Sequence, residues 1–97
     1  MNSPTAPGIT VARDRRASAV VWIGHEHASV VTTIAGRRTV TEIDRDLDSE
    51  PEYLGRVARA TKDSDRVLIV GDGRDRLAFE REYVSIYRRP DRLLDIA

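Results

Sequence analysis

Cysteine is absent from the 97-residue chain, which excludes disulfides and thiolate metal centres. Net charge is absent as well. Sixteen basic side chains balance sixteen acidic ones, so nothing in the total argues for broad attraction to nucleic acid or to a membrane surface. No apolar run approaches the ~20 residues that cross a bilayer. The opening Met1–Gly8 lacks the apolar segment of a secretion signal, and the expectation is a cytoplasmic protein. Aromatics are scarce: Trp22, Tyr53, Phe79, Tyr83 and Tyr87 are all there are, so a core must rest on Val, Ile, Leu and Ala. Lysine is nearly missing, Lys62 standing alone beside fifteen Arg. Arginine is the better bidentate partner for phosphate and carboxylate, although a GC-rich coding sequence produces the same bias.

What is present is ordered. Residues 1–41 carry five Arg against two acids, whereas residues 42–55 carry six acids against one Arg. Residues 1–17, with two early Pro, a Gly and the run Arg13-Asp14-Arg15-Arg16, read as a flexible N-terminal arm with little to bury. Residues 18–97 read as one domain. Ala19–Ile23 is a continuous apolar run of strand length, a pattern that predicts a central strand covered on both faces. After Gly24-His25-Glu26-His27 comes a second strand, Ala28–Ile34. Gly36-Arg37 has the form of a two-residue type II′ hairpin loop, and the more polar Arg38–Ile43 follows as a third strand near an edge.

Ser49 is the expected N-cap of a helix whose first turn holds Glu50, Pro51 and Glu52. Tyr53, Leu54, Val57, Ala58 and Thr61 share one face of it, and Lys62–Asp65 ends it. Val67–Val70 is a short apolar strand, expected to run parallel to a neighbour. The loop Gly71-Asp72-Gly73-Arg74 leads into a helix from about Asp75 to Arg88, apolar at Leu77, Phe79, Tyr83, Val84, Ile86 and Tyr87. Pro90 prevents continuation, and Leu93–Ile96 closes the chain as a last strand. The fold class is therefore α/β: a single domain of β-β-β-α-β-α-β order with a mixed sheet.

Three constellations merit chemical weighing. Gly71, Asp72 and Gly73, with Arg74 and Arg76, form a strand-to-helix loop of the kind that holds phosphate, but without the spacing of a Walker or dinucleotide motif. Asp72 and Asp75 stand where an anion would bind and are better explained as caps of the helix's positive end. His25 and His27, two residues apart, project to one side of an extended segment, yet no third His exists to complete a metal site. The element order is that of ribonuclease-H-type nucleases, which need a carboxylate cluster on the sheet to hold two metals. The first strand ends Trp22-Ile23-Gly24 without an acid, and Asp72 is the one well-placed carboxylate. No Ser elbow is present. No catalytic residue, metal or cofactor is expected.

Two segments carry a resemblance. Val20-Val21-Trp22-Ile23-Gly24-His25-Glu26-His27-Ala28 resembles the opening of bacterial relatives of the middle domain of eukaryotic and archaeal class-1 release factors and Pelota, which begin with a V-W-I-D-H-x-x-A-type strand and turn. Ile69–Arg76, followed by Phe79 and Tyr83, is similar to that group's strand ending in G-P-G-x-x-K and its following helix. Gly24 stands for the group's Asp, Asp72 for its Pro and Arg76 for its Lys. The resemblance covers about residues 18–96 and implies a ribonuclease-H-like scaffold with a link to the ribosome, tRNA or translation quality control. The release factors' G-G-Q loop lies between the third strand and the first helix. Here that connection is Asp44–Ser49, so peptidyl-tRNA hydrolysis does not carry over.

The leading expectation is thus a non-catalytic, translation-associated binding domain that contacts the ribosome, RNA or a translation factor. Arg37, Arg38, Arg74 and Arg76 are its expected phosphate contacts. One alternative is a homo-oligomeric, stress-associated interaction protein that joins copies through a sheet edge or the Tyr83, Ile86 and Tyr87 side of the last helix. A weaker one is a nucleotide-binding protein that uses the Gly71–Arg76 loop. Monomer and homodimer both remain open.

Overall fold

The computed structural model describes residues 17–95. The arm expected over residues 1–17 therefore lies outside the described residues except at Ala17, which is buried and opens the first strand. The elements are β1 (Ala17–Ile23), β2 (His27–Ile34), β3 (Arg37–Asp44), α1 (Glu50–Arg59), β4 (Arg66–Val70), α2 (Gly73–Tyr87), a 3-10 turn at Pro90–Arg92 and β5 (Leu93–Asp95). Their order is the expected β-β-β-α-β-α-β. The five strands form one mixed sheet in the order β3-β2-β1-β4-β5. β1 to β3 make the antiparallel meander, with β3 at an edge, while β4 lies parallel to β1 and β5 parallel to β4.

The hairpin differs from its sequence reading. Ile34 pairs with Arg37, so the loop is Ala35-Gly36, both at positive φ (53° and 82°), the sign pattern of a type I′ turn. Arg37 belongs to the strand. The register has a clear cause: it sets Ile43 opposite Ala28, both buried, whereas a Gly36-Arg37 loop would bring Arg45 opposite Ala28.

Both helices pack on the same face of the sheet. Tyr53, Leu54, Val57 and Ala58 of α1 and Phe79 and Tyr83 of α2 join Ala19, Val21, Ile23, Ala28, Val30, Ile43, Val67 and Ile69 in one core. This corrects the expectation that β1 is covered on both sides. β1 is central, but its burial alternates, and Trp22 on the far side is 48% exposed. A run of uninterrupted apolar residues hides that alternation.

α1 starts as expected. Ser49 caps it by a reciprocal pair: the Glu52 N–H donates to Ser49 Oγ (3.3 Å) and the Ser49 N–H to Glu52 Oε1 (2.9 Å). It ends at Arg59, earlier than expected. Thr61 is buried beyond the helix end, where its hydroxyl donates to the Ala58 carbonyl at 2.7 Å. α2 begins two residues before Asp75, because Asp72 takes the cap position and Gly73 the first turn. Its apolar surface is narrower than expected. Phe79 and Tyr83 are buried, while Leu77 and Ile86 face outward. Arg88 stops it in the left-handed conformation (φ 57°). Among the described residues no helix is long and apolar enough to cross a membrane.

Candidate functional site

The loops at the carboxyl ends of β1 and β4 meet, and glycine makes the meeting possible. At Gly71 (φ 156°) an added Cβ would lie 2.5 Å from the Ile23 carbonyl oxygen. At Gly73 an added Cβ would meet nothing within 4 Å. The β1–β2 turn closes through the Gly24 N–H to the His27 carbonyl (2.9 Å). Beneath it the buried Tyr53 hydroxyl donates to the Gly24 carbonyl at 2.7 Å. Burial, reinforced by Asp75 and Glu26, pushes the Tyr53 phenol up to about 12. Tyr53 is therefore a fixed donor that pins the turn to α1.

At the mouth of α2 the Asp72 carboxylate accepts from the Asp75 N–H at 3.0 Å, and this bond holds its pKa below the usual range. The Arg76 N–H goes to the Asp72 carbonyl at 3.0 Å. Amides that an anion would need are thus occupied by Asp72, and the Asp75 carboxyl sits beside them, its pKa raised first by burial and then by Asp72. Gly71, Asp72 and Gly73 form a capped chain reversal whose chemistry is structural. Of the two arginines at this end, Arg74 is exposed and Arg76 half-buried.

The two histidines go separate ways. His25 lies beside Asp75 (Nδ1 to Oδ1 3.9 Å), with its Nε2 3.2 Å from Arg45 Nη1 and 3.5 Å from Glu26 Oε2. His27 is clasped across the β2–β3 edge, Nδ1 to Asp44 Oδ1 and Nε2 to Glu42 Oε1, both at 2.6 Å. The hydrogen bond to Asp44, then that to Glu42, raises the His27 pKa. The hydroxyl of Ser29, donating to Glu42 at 2.7 Å, and then His27 lower that of Glu42. Among the described residues no group of three or more side chains is placed to hold a metal ion. The acidic stretch after β3 is likewise structural in part: Arg56 ties Asp48 and the Asp44 carbonyl to α1.

The four arginines expected to touch phosphate do not converge. Arg37 pairs with Ile34, which pairs with Ala17 at the start of β1, while Gly71 and the arginines after it adjoin Ile23 at the end of β1. The two pairs are a strand length apart, about 20 Å. Arg37 and Arg38, adjacent on β3, point to opposite faces of the sheet. Sequence reasoning missed two features of the open face. One is the His27–Glu42–Asp44 clasp, whose only signal is the pair of acids two residues apart at the end of β3. The other is Arg66, which pairs with Ser18 and so joins Arg38 at the same end of the sheet.

No family model matches the chain, and no curated protein does. Solved structures do match. The Pelota protein of Thermoplasma acidophilum aligns with 100% of this chain at a TM-score of 0.61 and 18% identity. An archaeal protein aligns with 98% at 0.66 and 16% identity. Dom34 of S. cerevisiae, described as a translation termination-like factor involved in RNA quality control pathways and interacting with Hbs1, aligns with 98% at 0.64 and 10% identity. The chain spans 33% of each of these proteins. At such identity the likeness is one of fold: a small α/β domain with a five-stranded mixed sheet and two helices, repeated within each of them.

Proposed function

We propose that this domain is a non-catalytic binding module of the translation machinery that contacts the ribosome, tRNA or a translation factor in the cytoplasm. The observation that carries the reading is the alignment of the whole domain with one third of Pelota and of Dom34, the latter a translation termination-like factor. The short β3–α1 connection, Arg45–Ser49, accords with a role without peptidyl-tRNA hydrolysis. Two cationic points supply phosphate contacts: Arg74 and Arg76 at the mouth of α2, and Arg37 and Arg38 at the far end of β3. Their separation requires two phosphates about 20 Å apart, so the partner is a structured RNA surface rather than a single nucleotide.

The test is a salt titration of binding to purified ribosomes. Each phosphate contact contributes about 0.7–0.9 to the slope of log affinity against log salt. Arg74→Ala with Arg76→Ala should lower the slope by about 1–2 and weaken binding. An unchanged slope with unchanged affinity refutes those contacts, and failure of the parent chain to bind at low salt refutes the reading.

A further inference from the structure

The sheet face opposite the helices carries an apolar row that nothing among the described residues packs over. Val40, Val31, Val20, Leu68 and Leu94 stand side by side in register across all five strands. An antiparallel sheet face turned to water ordinarily carries polar residues, and here the middle row carries none. Val40 is 56% exposed and Leu94 38%. One residue pair toward one end of the strands lie Arg38, Thr33, Ser18 and Arg66; one pair toward the other lie Glu42, Ser29, Trp22 and Val70, with His27 and Asp44 beyond. The face is therefore apolar in the middle, cationic at one end and acidic at the other. Among the described residues Arg38 and Arg66 make no ion pair.

We propose that a second copy of this chain covers the face, sheet against sheet, about a two-fold axis that runs along the Val40–Leu94 row. This axis reverses the strand direction. It sets Arg38 against Glu42 of the partner subunit, and Trp22 against Ser18 of the partner subunit. The other in-plane two-fold, parallel to the strands, sets the cationic end of one face on the cationic end of the other and is rejected by charge. Shape agrees with charge. Ser18, Ala19, Val20, Arg66, Leu68 and Leu94 line a hollow of about 180 Å³ that opens on this face, and it receives the indole of Trp22 of the partner subunit. Five strands about 4.8 Å apart give a face about 24 Å wide. Its union with a copy buries about 1,000–1,200 Å² in total, the size of weak, transient interfaces. Self-association and the translation reading share Arg38, which a dimer withdraws from RNA; replacing Arg74 and Arg76 changes ribosome binding alone, so either reading can fail without the other.

The experiment is sedimentation velocity of the full chain from about 0.5 to 500 μM (concentrations chosen to bracket about 1–100 μM), with Trp22 emission followed on the same samples. Trp22 is the only tryptophan, so its emission reports this face alone. The expected result is a monomer–dimer transition in which emission shifts to the blue as dimer forms. Arg38→Glu and Glu42→Arg should each weaken association about tenfold or more. An equimolar mixture of the two variants should restore it, because each reversed charge then meets its opposite. Val40→Lys, at an exposed edge position, should abolish it without disturbing the core. The proposal is overturned by a monomer at every concentration or by a dimer with Trp22 still open to quencher, which places the contact on a sheet edge or on α2. It is equally overturned by Trp22 shielded in a monomer and uncovered on deleting residues 1–16, or by no recovery in the mixture.

Discussion

Replacing Gly71 by Ala tests whether the glycine loop is architecture. The new Cβ would lie 2.5 Å from the Ile23 carbonyl oxygen, a backbone atom of the central strand that cannot rotate away. The φ of 156° adds strain of about 1–3 kcal/mol for a residue with a side chain. Displacing the end of β1 adds an overpacking cost of about 1–3 kcal/mol. The sum, about 2–6 kcal/mol, is a large share of the 5–15 kcal/mol typical of a domain. With an m-value of about 1 kcal/mol/M, the urea midpoint should fall by about 2 M or more. Gly73→Ala is the matched control: it has free space in the first turn of α2, where Ala replaces Gly at a gain of up to about 1 kcal/mol. Far-UV circular dichroism against urea reads both. A Gly71→Ala midpoint within 0.5 M (about the size of a surface substitution) of the parent, or a Gly73→Ala loss of more than about 1 kcal/mol, refutes the reasoning.

Two tyrosines of similar burial should respond oppositely. Tyr53→Phe removes the hydroxyl bonded to the Gly24 carbonyl and should cost about 1–2 kcal/mol in urea unfolding, whereas the buried Tyr83 hydroxyl has no partner among the described residues, so Tyr83→Phe should be neutral or stabilising. The His27 clasp predicts a signed pH dependence. Its raised folded pKa means stability that is complete below about 6.5 and lost as pH climbs through the higher folded value. The lowered Glu42 pKa means stability present above about 4.5 and lost as pH falls through the lower folded value. Urea midpoints measured from about pH 3 to 9 should therefore peak between the two, and His27→Asn should flatten the alkaline limb. An unchanged alkaline limb in that variant contradicts the clasp.

Most of the fold was legible because its signals are local. Ser49 followed by Glu52 announces a capping box, and Asp72 beside two glycines announces a strand-to-helix turn. The expected meander, the edge position of β3 and the parallel β4 are all observed. The failures lie where the decision is tertiary. Nothing within Val20-Val21-Trp22 says that both helices choose the same face, so an apolar run reads the same whether one side is covered or two. The hairpin loop depended on whether Ala35 takes positive φ, which the pairing of Ile43 with Ala28 imposes from seven residues away. That small register error concealed the His27–Glu42–Asp44 clasp. That the arginines stand apart was not legible, because the distance between Arg37 and Arg74 is a property of the assembled sheet.

The most direct test of the translation reading is co-sedimentation of the full chain with ribosomes from its own cell extract, with and without nuclease treatment. The account predicts that the chain pellets with ribosomes, is released by nuclease, and stays in the supernatant when Arg74 and Arg76 are both replaced by Ala. A parent chain that remains in the supernatant at low salt contradicts it.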